Sequence, residues 1–142
     1  MTWLVGNWSD PVRISEAIET EYWKKLPEGK QGVYRLFALA REGTFEPAPL
    51  ERVCGTDPTG TLTIGGTAKP LLRRLSALVK THRIDYHSAP HRRLPARLAE
   101  RFPHNRLAFA WWVTDSPWLV EADLHKRYEA DFGELPPMDR SG

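Results

Sequence analysis

The alternation of hydrophobic and polar residues divides the chain into segments that favour helix and segments that favour strand. Near the N-terminus, apolar residues return at every fourth position, which is typical of one face of a helix, until Pro27 and Gly29 end the pattern. Residues 32–40 (GVYRLFALA) are apolar on both faces, as in a central strand. Two further strands are predicted at residues 61–65 (TLTIG) and 106–113 (RLAFAWWV).

The order of these elements predicts one compact architecture. Helices are expected at residues 69–82 and 95–102, and the last one begins after residue 116. The expected fold class is α/β (α+β), with a small three-stranded mixed sheet flanked by helices. Residues 1–30 are predicted to form an N-terminal helical extension packed on a domain that spans residues 31–142. A loop of about twenty residues that contains several prolines separates the first two strands.

The last helix is the best-marked element and carries an unexpected carboxylate. Ser116 and Pro117 suit the start of a helix, and Gly133 suits its C-terminal end. The core-facing positions recur every four residues: Val120, Leu124, Tyr128 and Phe132. Glu121 falls within this apolar stripe, so we expect its carboxylate to need a cation, a hydrogen-bond network or a metal ion. The alternative is a first-turn glutamate that the helix dipole favours.

Composition excludes several classes of protein. The chain has 142 residues, of which 41% are hydrophobic and 27% charged, and no apolar run approaches the ~20 residues of a membrane span. The N-terminal residues lack the pattern of a secretory signal. Because Cys54 is the single cysteine, neither an intramolecular disulfide nor a cysteine-based zinc site is possible. We therefore expect a cytoplasmic protein without a membrane partner.

Positive charge is concentrated in residues 69–106. This segment holds ten Lys and Arg residues against two acidic residues, a net charge of +8 in a chain of net charge +2, so the remainder carries −6. A basic block in an otherwise acidic chain indicates a surface for a polyanion, most simply the phosphate backbone of DNA. The alternative interpretation is that these positive charges lie on solvent-exposed helix faces that happen to carry charge of the same sign. The candidate nucleic-acid contacts are Lys69, Lys80, Arg83, Arg92, Arg93 and Arg97.

Short motifs on the predicted strands give the chain a resemblance to a known enzyme family. Residues 32–34 (GVY) open the first strand, and residues 63–65 (TIG) lie on the second. An arginine follows on the next helix, Glu121 lies on the last helix, and residues 136–139 (PPMD) come near the end. In this order and spacing, the motifs resemble those of the GIY-YIG nuclease family, over nearly the whole domain.

The resemblance implies a reaction and a set of site residues. Enzymes of this family hydrolyse DNA phosphodiesters with one divalent ion, so Glu121 is the expected ligand of Mg²⁺ or Mn²⁺. Tyr34 is expected to position or deprotonate the attacking water. Without the resemblance, Tyr34 reads as a core aromatic with a satisfied hydroxyl. The expected supporting residues are Gly32, Thr63, Gly65 and Asp139.

The resemblance also implies an arginine that stabilises charge on the phosphate, and two neighbours compete for this role. On the predicted helix, Leu71 and Leu75 lie on the apolar face, Arg74 lies on its flank, and Arg73 points to solvent. The family's Leu-x-x-Arg-Leu pattern favours Arg74, whereas the spacing from the second motif favours Arg73. We expect Arg74 to be the catalytic arginine, with Arg73 as the alternative.

Three positions depart from the family pattern. Thr63 stands in place of the second tyrosine, Asp139 in place of the terminal asparagine, and Gly66 where some members carry lysine. The sequence as a whole predicts a metal-dependent DNA endonuclease. The departures keep two alternatives open: a catalytically degenerate GIY-YIG fold that binds nucleic acid, and a protein-interaction module.

Overall fold

The computed structural model describes residues 2–20, 29–71, 75 and 96–139, which form a mixed α+β fold around a small sheet. The described strands are β1 (Val12–Arg13), β2 (Gly32–Ala38), β3 (Leu50–Arg52), β4 (Gly55–Asp57), β5 (Thr61–Thr67) and β6 (Leu107–Val113). The described α-helices are α1 (Ile14–Thr20), α2 (Ala96–Arg101) and α3 (Pro117–Phe132). None of the helices in this part of the chain is long and apolar enough to cross a membrane.

The main sheet differs from the predicted three-stranded mixed sheet. Among the described residues it has four strands in the order β1–β6–β2–β5, and every neighbouring pair is antiparallel. Strands β5 and β6 run in the same direction. They do not pair with each other, because β2 lies between them in the sheet. The fourth strand, β1, has two residues and is too short to show a periodic pattern in the sequence.

The N-terminal stretch is only partly the predicted helical extension. Helix α1 is present, but it is preceded by β1, which pairs with β6, so this stretch contributes a strand to the main sheet. Residues 21–28, which complete the predicted helix, lie outside the described residues. Trp3 is 1% exposed, and its ring meets that of Tyr128 edge to face with centroids 4.9 Å apart. The N-terminus is therefore held against α3 by an aromatic contact.

The proline-containing loop after β2 contains a hairpin that the sequence did not predict. Strands β3 and β4 pair antiparallel, and each has three residues, too few for an alternating pattern to be recognised. The turn of the hairpin is joined to the end of α3, since the amide of Cys54 donates to the carbonyl of Phe132 over 2.9 Å. Arg52 also pairs with Glu134 at 3.1 Å.

Helix α3 confirms the boundaries predicted from its sequence. It begins with Pro117 at the first helical position and ends before Gly133, which has the left-handed φ of 77° that glycine tolerates. Ser116 is the cap residue, although its side chain makes no capping hydrogen bond. The buried residues of the helix are Pro117, Leu124, Tyr128 and Phe132.

The two faces of the sheet are covered by separate apolar clusters. One cluster packs α3 against Val33 and Ile64. The other contains Leu36 and Phe109 together with the fully buried Leu71 and Leu75, which confirms the predicted apolar positions of the segment after β5. Because β5 is the edge strand of the main sheet, both clusters end along it.

A buried polar network joins β4, β5 and α3. Asp57 is fully buried and accepts hydrogen bonds from the amide of Thr59 over 2.8 Å and from the hydroxyl of Tyr128 over 2.8 Å. Burial raises the pKa of the Tyr128 hydroxyl, so it remains a donor. Arg35 lies beside this network and donates to the hydroxyl of Thr61 over 3.2 Å, and burial lowers its pKa to about 10.

Candidate functional site

A polar cleft of about 340 Å³ lies along the edge strand β5. Five of the predicted site residues line it: Tyr34, Thr63, Gly65, Glu121 and Asp139. The other lining residues are Ile64, Gly66, Trp118, His125 and Met138. The structure therefore brings together residues from β2, β5, α3 and the C-terminal segment.

Two consecutive glycines on β5 make room for the side chains of two candidate site residues, Tyr34 and Glu121. A Cβ atom at Gly65 would lie 2.4 Å from the hydroxyl oxygen of Tyr34, and a Cβ atom at Gly66 would lie 2.5 Å from Oε2 of Glu121. Successive Cβ directions on a strand point to opposite faces. Tyr34 and Glu121 therefore reach β5 from opposite faces of the sheet, and the cleft wraps around the strand's free edge.

Glu121 occupies the cleft with half of its carboxylate unsatisfied. Its side chain is 25% exposed, yet Oε2 is buried and has no hydrogen-bond partner among the described residues. Oε1 lies 4.0 Å from Nδ1 of His125, which is longer than a hydrogen bond. Since an unpaired buried carboxylate oxygen is costly, the position suits a group that supplies positive charge.

His125 is fixed in one orientation by two acceptors. Its Nε2 lies 3.1 Å from Oδ2 of Asp139 and 3.0 Å from the carbonyl oxygen of Ile64. Both partners only accept, so Nε2 carries the hydrogen. The hydrogen bond to Asp139 raises the pKa of His125, and partial burial acts in the opposite direction.

Asp139 links the end of the chain to β5 and to α3. Its side chain is 8% exposed, and its Oδ2 accepts the amide hydrogen of Ile64 over 2.8 Å in addition to His125. Its Oδ1 accepts the hydroxyl hydrogen of Thr63. The two positions that depart from the motif tyrosine and asparagine are thus in direct contact with each other.

The remaining predicted site residues lie elsewhere. Gly32 does not line the cleft; a Cβ atom there would lie 2.2 Å from the carbonyl oxygen of Trp112, so close packing against β6 requires the glycine. Lys69 is exposed after the end of β5, and Arg97 lines a separate cavity of about 250 Å³ with Arg52 and other residues. The predicted residues that lie outside the described residues are Arg73, Arg74, Lys80, Arg83, Arg92 and Arg93.

His125 and Trp118 are the site residues that sequence reasoning missed. His125 follows Glu121 by four positions on a helix, a spacing that places two side chains side by side, so this signal was present in the sequence. Trp118 is 59% exposed on the rim of the cleft, and its position in the first turn of α3 gave no comparable signal.

The acidic and imidazole groups of the cleft do not form a multidentate metal cage. Within residues 2–20, 29–71, 75 and 96–139, no group of three or more His, Cys, Asp and Glu side chains is arranged to hold a metal ion.

Comparisons with known proteins identify no relative of this chain. The chain matches no protein-family model, no curated protein and no solved structure. The functional interpretation therefore depends on the geometry of the cleft and on the resemblance of the motifs.

Proposed function

We propose that the chain is a metal-dependent endonuclease that hydrolyses DNA phosphodiester bonds with a site of GIY-YIG type. The observation that carries the proposal is the convergence of Tyr34 and Glu121, which lie far apart in the sequence, on one cleft at β5. The motif residue Gly65 and its neighbour Gly66 each have a steric reason there, because Gly65 accommodates the Tyr34 hydroxyl and Gly66 accommodates the Glu121 carboxylate.

The Glu121 carboxylate suits a divalent ion such as Mg²⁺ or Mn²⁺. Its Oε2 is buried without a hydrogen-bond partner in the described part of the chain, and carboxylate oxygens are the protein ligands these ions prefer. When bound, such an ion polarises a phosphoryl oxygen and stabilises the leaving oxygen. Glu121 would hold it, and water and a DNA phosphate would take further positions on the ion.

The other groups of the cleft would handle the water and the phosphate. The hydroxyl of Tyr34 lies against Gly65 and would orient the attacking water by hydrogen bonding. The resemblance assigns stabilisation of the phosphate charge to Arg74, or to Arg73. Lys69 is exposed after β5, where it would contact the DNA backbone. A cytoplasmic location is part of this proposal.

A second candidate function is a catalytically degenerate GIY-YIG fold that binds nucleic acid or a protein partner. It is favoured by the contact between Thr63 and Asp139. The threonine hydroxyl is committed to the Asp139 carboxylate, so it does not replace the phenol that the second motif tyrosine supplies. Asp139 in turn accepts three hydrogen bonds, which suits a structural role better than that of a general base.

Incubation of the protein with supercoiled and linear DNA, with Mg²⁺, with Mn²⁺ or with EDTA, separates these functions. The nuclease proposal predicts metal-dependent cleavage by the wild type and none by Glu121→Ala. Salt-sensitive DNA binding without cleavage by either protein would favour the degenerate nucleic-acid-binding fold. Absence of DNA binding at low salt would leave the protein-interaction module.

A further inference from the structure

In the described part of the chain, the gap between Glu121 and His125 holds no positive charge other than a proton on His125 itself. Because Nε2 of His125 donates to Asp139 and Ile64, the neutral imidazole keeps a lone pair on Nδ1. This Nδ1 lies 4.0 Å from Oε1 of Glu121. A lone pair and a carboxylate oxygen at this separation repel unless a cation or a proton lies between them.

We propose that Glu121 and His125 bind one first-row transition-metal ion together, through Oε1 and Nδ1. This inference rests on the proposed function, because it concerns the same ion, and it adds a nitrogen ligand that the resemblance does not supply. Donor atoms that are each about 2.1 Å from one ion lie no more than about 4.2 Å apart. The observed 4.0 Å is within this limit but longer than the about 3.4 Å between two tetrahedral ligands, so the side chains would close by about 0.6 Å to share an ion in that geometry.

Asp139 has the position of the outer carboxylate in a carboxylate–histidine–metal arrangement. Such carboxylates accept the hydrogen of the ring nitrogen that does not bind the metal, fix the ring and increase its basicity as a ligand. Asp139 does this at 3.1 Å, and it is itself held by the amide of Ile64. The imidazole is therefore preorganised before any ion arrives.

The nitrogen ligand changes which ions the cleft prefers. Mg²⁺ binds oxygen donors and keeps several waters, whereas imidazole suits ions such as Co²⁺, Ni²⁺ and Zn²⁺. Sites with nitrogen and oxygen ligands bind transition-metal ions more tightly than Mg²⁺. A ranking of the wild type's affinities for these ions therefore does not test the proposal. The informative quantity is how far the affinity for each ion depends on His125.

Isothermal titration calorimetry of the full chain with Co²⁺ and with Mg²⁺ alone, without DNA, tests the inference. His125→Gln keeps an amide donor for Asp139 but removes the ring nitrogen. We expect it to weaken Co²⁺ binding by at least about 10-fold and Mg²⁺ binding by less than about 3-fold. Glu121→Gln should weaken both ions. Glu129→Gln, an exposed carboxylate on the same helix, should change neither.

Asp139→Asn is a second variant that leaves both proposed ligands in place, and circular dichroism checks that each variant is folded. Because its imidazole is held less firmly, this variant should bind Co²⁺ more weakly, while its Mg²⁺ binding stays near that of the wild type.

Unchanged Co²⁺ affinity in His125→Gln would overturn the inference. It would indicate that a proton, and not a metal ion, lies between His125 and Glu121. If Co²⁺ binding depends on His125 but the wild type cuts no DNA with any ion, the metal site stands and the nuclease proposal fails. Metal-dependent cleavage combined with His125-independent Co²⁺ binding would instead support the nuclease and overturn the shared metal site.

Discussion

Gly66 and Glu121 fit each other sterically: a single methyl group on Gly66 would lie 2.5 Å from Oε2 of the Glu121 carboxylate. The carboxylate thus occupies space that any other residue at position 66 would fill. The glycine is on the edge strand and the glutamate is in the second turn of α3, so their contact sets how closely the helix places its carboxylate over the strand.

Gly66→Ala is expected to displace the Glu121 carboxylate from the cleft. Calorimetry should show Mn²⁺ affinity reduced by at least about 10-fold, whereas denaturant unfolding should show a loss of only about 1 kcal/mol, because the displaced atom is the end of a flexible side chain. Because the nearest contact is the carboxylate, the same substitution in a Glu121→Ala background should lose most of its cost in stability. An equal cost in both backgrounds would show that Gly66 does not act through Glu121.

Tyr34→Phe is expected to slow DNA cleavage by about 10²-fold or more, because it removes the hydroxyl to which the proposed function assigns orientation of the water. Metal affinity should remain that of the wild type, since Glu121 approaches β5 from the other face. Single-turnover cleavage rates and calorimetry measure the two quantities separately. Wild-type cleavage by Tyr34→Phe would mean that this tyrosine is a packing residue.

The free energy of unfolding should depend on pH through His125. Its pKa in the folded protein is raised above the ordinary value of 6.5 by the hydrogen bond to Asp139. This group therefore stabilises the fold fully below pH 6.5, and the contribution is lost as the pH rises through the folded pKa. Urea unfolding in EDTA across this range should show a steeper decline for the wild type than for His125→Gln. Parallel curves for the two proteins would contradict the interpretation.

Tyr128→Phe is expected to destabilise the fold without touching the cleft. The substitution keeps the ring contacts with Trp3 and Phe132 but removes the hydroxyl that donates to buried Asp57. The loss should be about 1–3 kcal/mol in denaturant unfolding, because a buried carboxylate oxygen loses a donor. Metal affinity should be unchanged. If Tyr128→Phe leaves the free energy of unfolding unchanged, the remaining hydrogen-bond donors satisfy Asp57.

The sequence predicted those parts of the fold that depend on local signals. Helix α3 was predicted with its correct ends because Pro117 and Gly133 have conformational preferences of their own. The strands β2, β5 and β6 were predicted because each has seven residues with a clear apolar pattern. The hairpin of β3 and β4 was missed, since its stability comes from contacts with the end of α3 rather than from a pattern of its own.

The candidate site was predictable only in part, for a related reason. Glu121 was recognised because it interrupts an apolar stripe, and Tyr34 because it belongs to a motif. The link between His125 and Asp139 depends on the C-terminal segment returning along β5, where the amide of Met138 donates to the carbonyl of Leu62. No periodicity in the sequence encodes this return.

If Glu121 makes this chain a metal-dependent nuclease, as proposed, the cleavage rate of supercoiled plasmid in Mn²⁺ depends on its carboxylate. Glu121→Gln is compared with Glu129→Gln, which makes the same change of charge at an exposed position of α3. We expect Glu121→Gln to lose about 10²-fold or more in rate and Glu129→Gln to cleave like the wild type. Equal cleavage by both variants, or wild-type cleavage that persists in EDTA, would contradict the nuclease proposal.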